Sequence, residues 1–113
     1  MTRGEQDQLA RIIAAGEAIL EYSKGGKSRF LENDMVRAAV ERQFGILGRA
    51  AAKVPGETQS ALPGVPWRSL VALSNLLERA TEPMDPEKLW LAVGGPLRET
   101  LAALRSSAQE PRT

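Results

Sequence analysis

Val36, Val40, Phe44, Leu47, Ala51 and Val54 recur at three- and four-residue intervals, the spacing of one helix face. Met35, Ala39, Ile46 and Ala50 widen that face beyond what one neighbour can cover. The helix predicted over residues 34–53 must therefore contact more than one other helix. Asn33 or Asp34 supplies its N-cap. Gly45 and Gly48 lie inside it, and each costs roughly 1 kcal/mol relative to alanine in a helix interior. Close approach of a neighbouring helix is the expected compensation. On the remaining side, Arg42, Arg49 and Lys53 lie near one another, as a solvated surface or as a contact for RNA or a partner protein.

The rest of the chain follows the same period. Leu9, Ile12, Ile13, Gly16, Ile19, Leu20 and Ser23 predict an amphipathic helix over residues 5–22, ended by Gly25-Gly26. The K-G-G-K-S that follows is not a phosphate-binding loop, because Glu21 stands where that motif needs its first glycine and no strand precedes it. Ser28 to Leu31 reads as a single turn, and the Pro- and Gly-rich stretch from Pro55 to Pro66 as a loop. Pro66 then opens a helix over residues 67–82, with Leu70, Leu73, Leu77 and Ala80 as its core stripe. Asn75, Arg79 and Glu82 form another face, with Ser74, Glu78 and Thr81 beside it. Pro83 and Pro86 bracket the next break and Asp85 caps a last helix over residues 86–107. Its stripe is Leu89, Val93, Leu97, Leu101 and Leu104, and Gly94-Gly95-Pro96 predicts a kink or a division into two shorter helices. Residues beyond Ser107 should fray. No segment alternates as a strand does, so the expected fold is all-α: one domain over residues 1–113, a four-helix up-and-down bundle.

Composition excludes several classes of function. Among 113 residues there is no cysteine and no histidine, so disulfides and thiolate metal sites are absent, as is the usual acid–base residue. The carboxylates Glu17, Glu21 and Glu41 are too sparse to suggest a metal site, and no cofactor is implied. A net charge of +1 gives no global attraction for nucleic acid or an anionic membrane. The N-terminal M-T-R-G-E-Q-D-Q lacks the apolar core of a signal peptide and no apolar run is long enough to span a bilayer, so a cytoplasmic protein is expected. Trp67 and Trp90 read as core or interface packing rather than base stacking.

Three segments in collinear order carry a family resemblance: A-R-I-I-A-A-G-E-A-I-L-E-Y-S-K-G, F-L-E-N-D-M-V-R-A-A-V-E-R-Q-F-G-I-L-G-R-A-A, and L-P-G-V-P-W-R-S-L-V-A-L-S-N-L-L-E-R leading to D-P-E-K-L-W. Together they resemble the HepT-like branch of the HEPN superfamily over nearly the whole chain. The resemblance implies an all-helical homodimer, often the toxin of a two-gene toxin–antitoxin system with a minimal nucleotidyltransferase (MNT) as partner. It also implies metal-independent RNA cleavage by an arginine, then after four to six residues a histidine, one residue, and a tyrosine that the partner can adenylylate. Laid without gaps from Trp67, the arginine position is Ser74, the histidine position Arg79 and the tyrosine position Thr81, while the neighbouring asparagine is kept as Asn75. The acidic positions usual on the second helix are occupied by Gly45 and Arg49.

The departures bear on the chemistry. Cleavage without metal needs a base for the 2′-hydroxyl and a cation for the transition-state phosphate. An arginine is not deprotonated in proteins, so Arg79 can hold a phosphate but cannot act as the base. Ser74 carries no charge, and Thr81 offers a shorter hydroxyl than tyrosine. Glu78 is the available substitute base, although an exposed carboxylate beside Arg79 is more simply a surface ion pair. Three functions follow as expectations. The first is a catalytically degenerate subunit that dimerises and binds its nucleotidyltransferase. The second is an active ribonuclease using Glu78, Arg79 and Asn75. The third is a helical adaptor or RNA-binding protein outside any toxin system, using Arg42, Arg49, Lys53 and Arg79.

Overall fold

The computed structural model describes residues 1–109, all of whose regular structure is helical. The elements are α1 (Arg3–Tyr22), α2 (Lys27–Glu32), α3 (Asp34–Ala52), α4 (Gly56–Ala61), α5 (Trp67–Arg79), α6 (Pro86–Ala92), a π turn (Val93–Leu97) and α7 (Arg98–Gln109). The expected helices appear as α1, α3, α5 and the α6–α7 arm, and the chain adds two short ones. Of these, α4 corrects the expected loop over residues 55–66.

Local sequence explains most of the helix ends. Thr2 begins α1 two residues before the expected start, through a reciprocal cap: the Glu5 amide donates to Thr2 Oγ1 at 3.1 Å and the Thr2 amide donates to Glu5 Oε2 at 2.7 Å. Asn33, rather than Asp34, caps α3 by accepting from the Val36 amide at 3.1 Å. The carbonyls of Phe30 and Leu31 at the end of α2 accept from Arg37 Nη1 of α3 at 3.0 and 2.6 Å. Asp85 accepts from the Glu87 amide at 2.9 Å and Pro86 occupies the first turn of α6.

The end of α5 is a correction. It stops at Arg79, not Glu82, and Ala80 is already extended. Pro83 lacks the amide that would bond to the Arg79 carbonyl, and it disfavours a helical Glu82. The break at Gly94-Gly95-Pro96 takes the form of the π turn, so α6 and α7 follow one another without a loop. The wider turn absorbs the donor that Pro96 lacks. The fully buried Thr100 returns its hydroxyl to the Pro96 carbonyl at 2.7 Å. Helix α7 runs to Gln109, and the expected fraying beyond Ser107 falls largely outside the described residues.

Packing is antiparallel along the chain. Gly48 meets Ser74, Arg49 meets Glu78 and Glu41 meets Met84, so α5 climbs as α3 descends. Lys27 pairs with Glu87 at 3.0 Å, while Gly16 faces Leu97 and Leu101, giving the α6–α7 arm the opposite direction to α1. The core contains Ile12 and Ile19 of α1, Val40, Phe44 and Leu47 of α3, Leu70 of α5, and Leu89, Val93, Leu97, Leu101 and Leu104 of the last arm. Phe30 of α2 joins it and lies 5.0 Å, centroid to centroid, from the half-buried Trp90. Two residues of the expected stripes are outside. Met35 is 80% exposed in the first turn of α3, and Ala80 is exposed because α5 has ended before it.

Candidate functional site

The site is built on the crossing of α3 and α5. Gly48 is the point of closest approach, where an added Cβ would lie 2.3 Å from Ser74 Cβ and 2.6 Å from the Leu70 carbonyl oxygen. No side chain can occupy that space without separating the helices, which is the compensation expected for a glycine inside α3. Gly45 differs, since a Cβ there would meet only the Arg49 side chain, at 3.3 Å from Nη1. Its role is to leave room for that arginine rather than for a neighbouring helix.

This crossing decides where the sequence-predicted residues lie. Ser74, expected beside the polar face, is 2% exposed in the α3–α5 contact, and its hydroxyl donates to the Val71 carbonyl at 2.9 Å. Asn75 is exposed and lines a groove of about 330 Å³ with Gln59, Trp67, Arg68, Val71 and Ala72. Glu78 pairs with Arg49 across the two helices at 3.1 Å, rather than with its neighbour Arg79. Arg79 is the exposed last residue of α5, and Thr81 is exposed in the bend beyond it. Asn75, Arg79 and Thr81 therefore do not share one continuous helical face.

The basic surface expected from Arg42, Arg49, Lys53 and Arg79 divides in the same way. Arg42 and Arg49 line a groove of about 260 Å³ with Glu41, Gly45, Leu77 and Glu78. Lys53 follows the C-terminal end of α3, whereas Arg79 ends α5. Because the helices are antiparallel, these two residues lie towards opposite ends of the crossing and neither lines the groove. Of the groove residues, Glu41 and Leu77 have no site role in the sequence, and Gly45 enters only as a departure from an acidic position of the family. Glu41 accepts from the Met84 amide at 3.4 Å, and Gly45 sits beneath the Arg49 guanidinium. The signal was available, since Glu41, Gly45 and Arg49 follow i, i+4, i+8 spacing on one face.

The segment between α3 and α5 is held by a polar relay. Gln59 Nε2 donates to the Val54 carbonyl at 3.0 Å, and Trp67 Nε1 donates to the carbonyls of Gln59 and Leu62 at 3.2 and 3.1 Å. Trp67 is thus a buried anchor, as expected, and it sets the wall of the Asn75 groove. Among the described residues no group of three or more carboxylates forms a candidate metal site, and no helix is long and apolar enough to cross a membrane.

An all-helical bundle centred on a glycine-mediated crossing, with charged groups spanning it, is the class that this geometry defines. The chain matches the family described as "Ribonuclease HepT-like" over residues 12–106, and it belongs to that HepT-like family of the HEPN superfamily. It is also 30% identical over 86 residues to a Methanocaldococcus jannaschii protein named "Putative RNase MJ1380", covering 75% of this chain and 79% of that protein. No solved structure matches the chain.

Proposed function

We propose that this chain is the HepT-like component of a cytoplasmic toxin–antitoxin pair whose ribonuclease centre has degenerated. Its retained role is to form a homodimer and bind a minimal nucleotidyltransferase. The observation that carries this reading is Ser74. At the position of the catalytic arginine stands a small residue buried against Gly48, with its hydroxyl bonded to Val71. At the histidine position Arg79 supplies a cation but no base, and Thr81 lies off the end of α5. The intact hydrophobic framework around these changes supports assembly as the function that remains.

The test has two parts. The purified protein, incubated with RNA without divalent metal, is expected to cleave no faster than a Glu78→Gln variant. Purification from the native cell at endogenous level is expected to recover a nucleotidyltransferase in stoichiometric amount, and light scattering of the isolated protein a dimeric mass. The name of the archaeal relative favours a second reading, an active ribonuclease with Glu78 as base. Cleavage by the wild-type protein that Glu78→Gln abolishes would establish that reading and remove the first.

A further inference from the structure

We infer that the groove between α3 and α5 is a phosphate-binding site which the chain occupies with its own Glu78 carboxylate. Arg49 lies across Gly45, with Nη1 3.3 Å from where a Cβ would stand, so the missing side chain gives the guanidinium its resting place. A single guanidinium nitrogen meets a single carboxylate oxygen at 3.1 Å, leaving further donors of the fork for another acceptor. Both side chains are about half exposed, at 52% and 48%, so an incoming anion can exchange with the carboxylate from solvent. Arg42, two turns back along α3, is on the same groove and forms no ion pair among the described residues. The other carboxylate of the groove, Glu41, is engaged by the Met84 amide.

These positions suit a phosphate bound by Arg49 and Arg42, because guanidinium forks match phosphate oxygens and an arginine pair outlasts the loss of one carboxylate contact. Glu78 then acts as an internal competitor that lowers affinity without filling the groove. The phosphate could belong to an RNA backbone or to a free mononucleotide. The inference goes beyond the proposed function: it concerns anion binding, and neither RNA cleavage nor recovery of a nucleotidyltransferase follows from it.

Binding of a fluorescently labelled oligouridylate is to be measured across a salt series, with inorganic phosphate as competitor. Glu78→Gln should bind about two- to fivefold more tightly than wild type, the range set by releasing one exposed ion pair. Its salt dependence should steepen by roughly 0.7 in log–log slope for the one additional cation freed. Adding Arg49→Gln to Glu78→Gln should cancel both gains. Glu99→Gln, which removes a charge on α7 outside the groove, should leave binding unchanged. Competition by inorganic phosphate at low millimolar concentration identifies a site for free phosphates; binding of the oligomer without such competition identifies a backbone site. Equal affinities for Glu78→Gln and wild type would overturn the inference. So would an equal gain from Glu99→Gln, because the effect would then be one of net charge.

Discussion

Gly48→Ala is expected to destabilise the protein by about 2–3 kcal/mol, while Gly45→Ala, three residues earlier on the same helix, is neutral or mildly stabilising. Helix propensity favours alanine by roughly 1 kcal/mol at both positions, so the difference must come from tertiary contact. At Gly48 the new methyl group would lie 2.3 Å from Ser74 Cβ, 2.5 Å from its Oγ and 2.6 Å from the Leu70 carbonyl oxygen. Ser74 is 2% exposed and Leu70 contributes backbone, so relief requires α5 to move away from α3. At Gly45 the methyl group meets the far end of the flexible Arg49 side chain at 3.3 Å. Thermal unfolding checks both: the Gly48 variant should melt roughly 10 °C or more below wild type. Gly48→Val should fail to give a folded monomeric unit at all. A Gly48→Ala variant within 0.5 kcal/mol of wild type would falsify the close crossing and, with it, the burial of Ser74.

Trp67 is the second position of large effect. Trp67→Ala should cost about 3–5 kcal/mol, the range for removing a large aromatic from a buried site. Part of that loss belongs to the indole N–H, which is shared between the carbonyls of Gln59 and Leu62 and so ties α4 to the start of α5. Trp67→Phe retains most of the ring volume and removes that donor, for an expected loss of about 1–2 kcal/mol. Urea unfolding separates the two, with unchanged denaturant slopes required for the comparison. Amide exchange over residues 56–62 should accelerate in Trp67→Phe while the exchange of α1 stays slow. If Trp67→Phe costs as much as Trp67→Ala, the hydrogen bonds rather than the ring hold the segment. If neither variant loses more than 1 kcal/mol, Trp67 does not anchor it.

These two positions illustrate how far the candidate site depends on helix contact. In a bundle of this size the α3–α5 crossing both completes the core and sets the face on which any chemistry would occur. A residue that approaches the neighbouring helix, such as Ser74, is withdrawn from solvent. A residue one turn further, such as Glu78, is presented to the groove. In the proposed alignment, where Ser74 takes the place of the family's arginine, the crossing carries no cation at that point, whereas Arg42 and Arg49 line the groove from the α3 side. This separation is the physical content of the degenerate-site reading, and it is also what makes the groove a candidate for binding without cleavage.

The sequence by itself determined the all-helical class and nearly all of the core. Leu70, Leu89, Val93, Leu97, Leu101 and Leu104 are buried as their spacing predicts. Such features are legible because helical period, N-caps and prolines act within a few residues of one another. The short α4 was hidden by the prolines and glycines on either side, and the early end of α5 by an apolar stripe that continues formally through Ala80. Only the tertiary structure decided that Gly48 and Gly45 do different work, that Ser74 is inside and that Glu78 pairs with Arg49 rather than Arg79. It also decided that Lys53 and Arg79 lie apart. The reason is physical: each of these depends on the axial register and rotation of α5 against α3. A helix's own periodicity specifies which face is apolar, but not which residue of that face meets which residue of its neighbour.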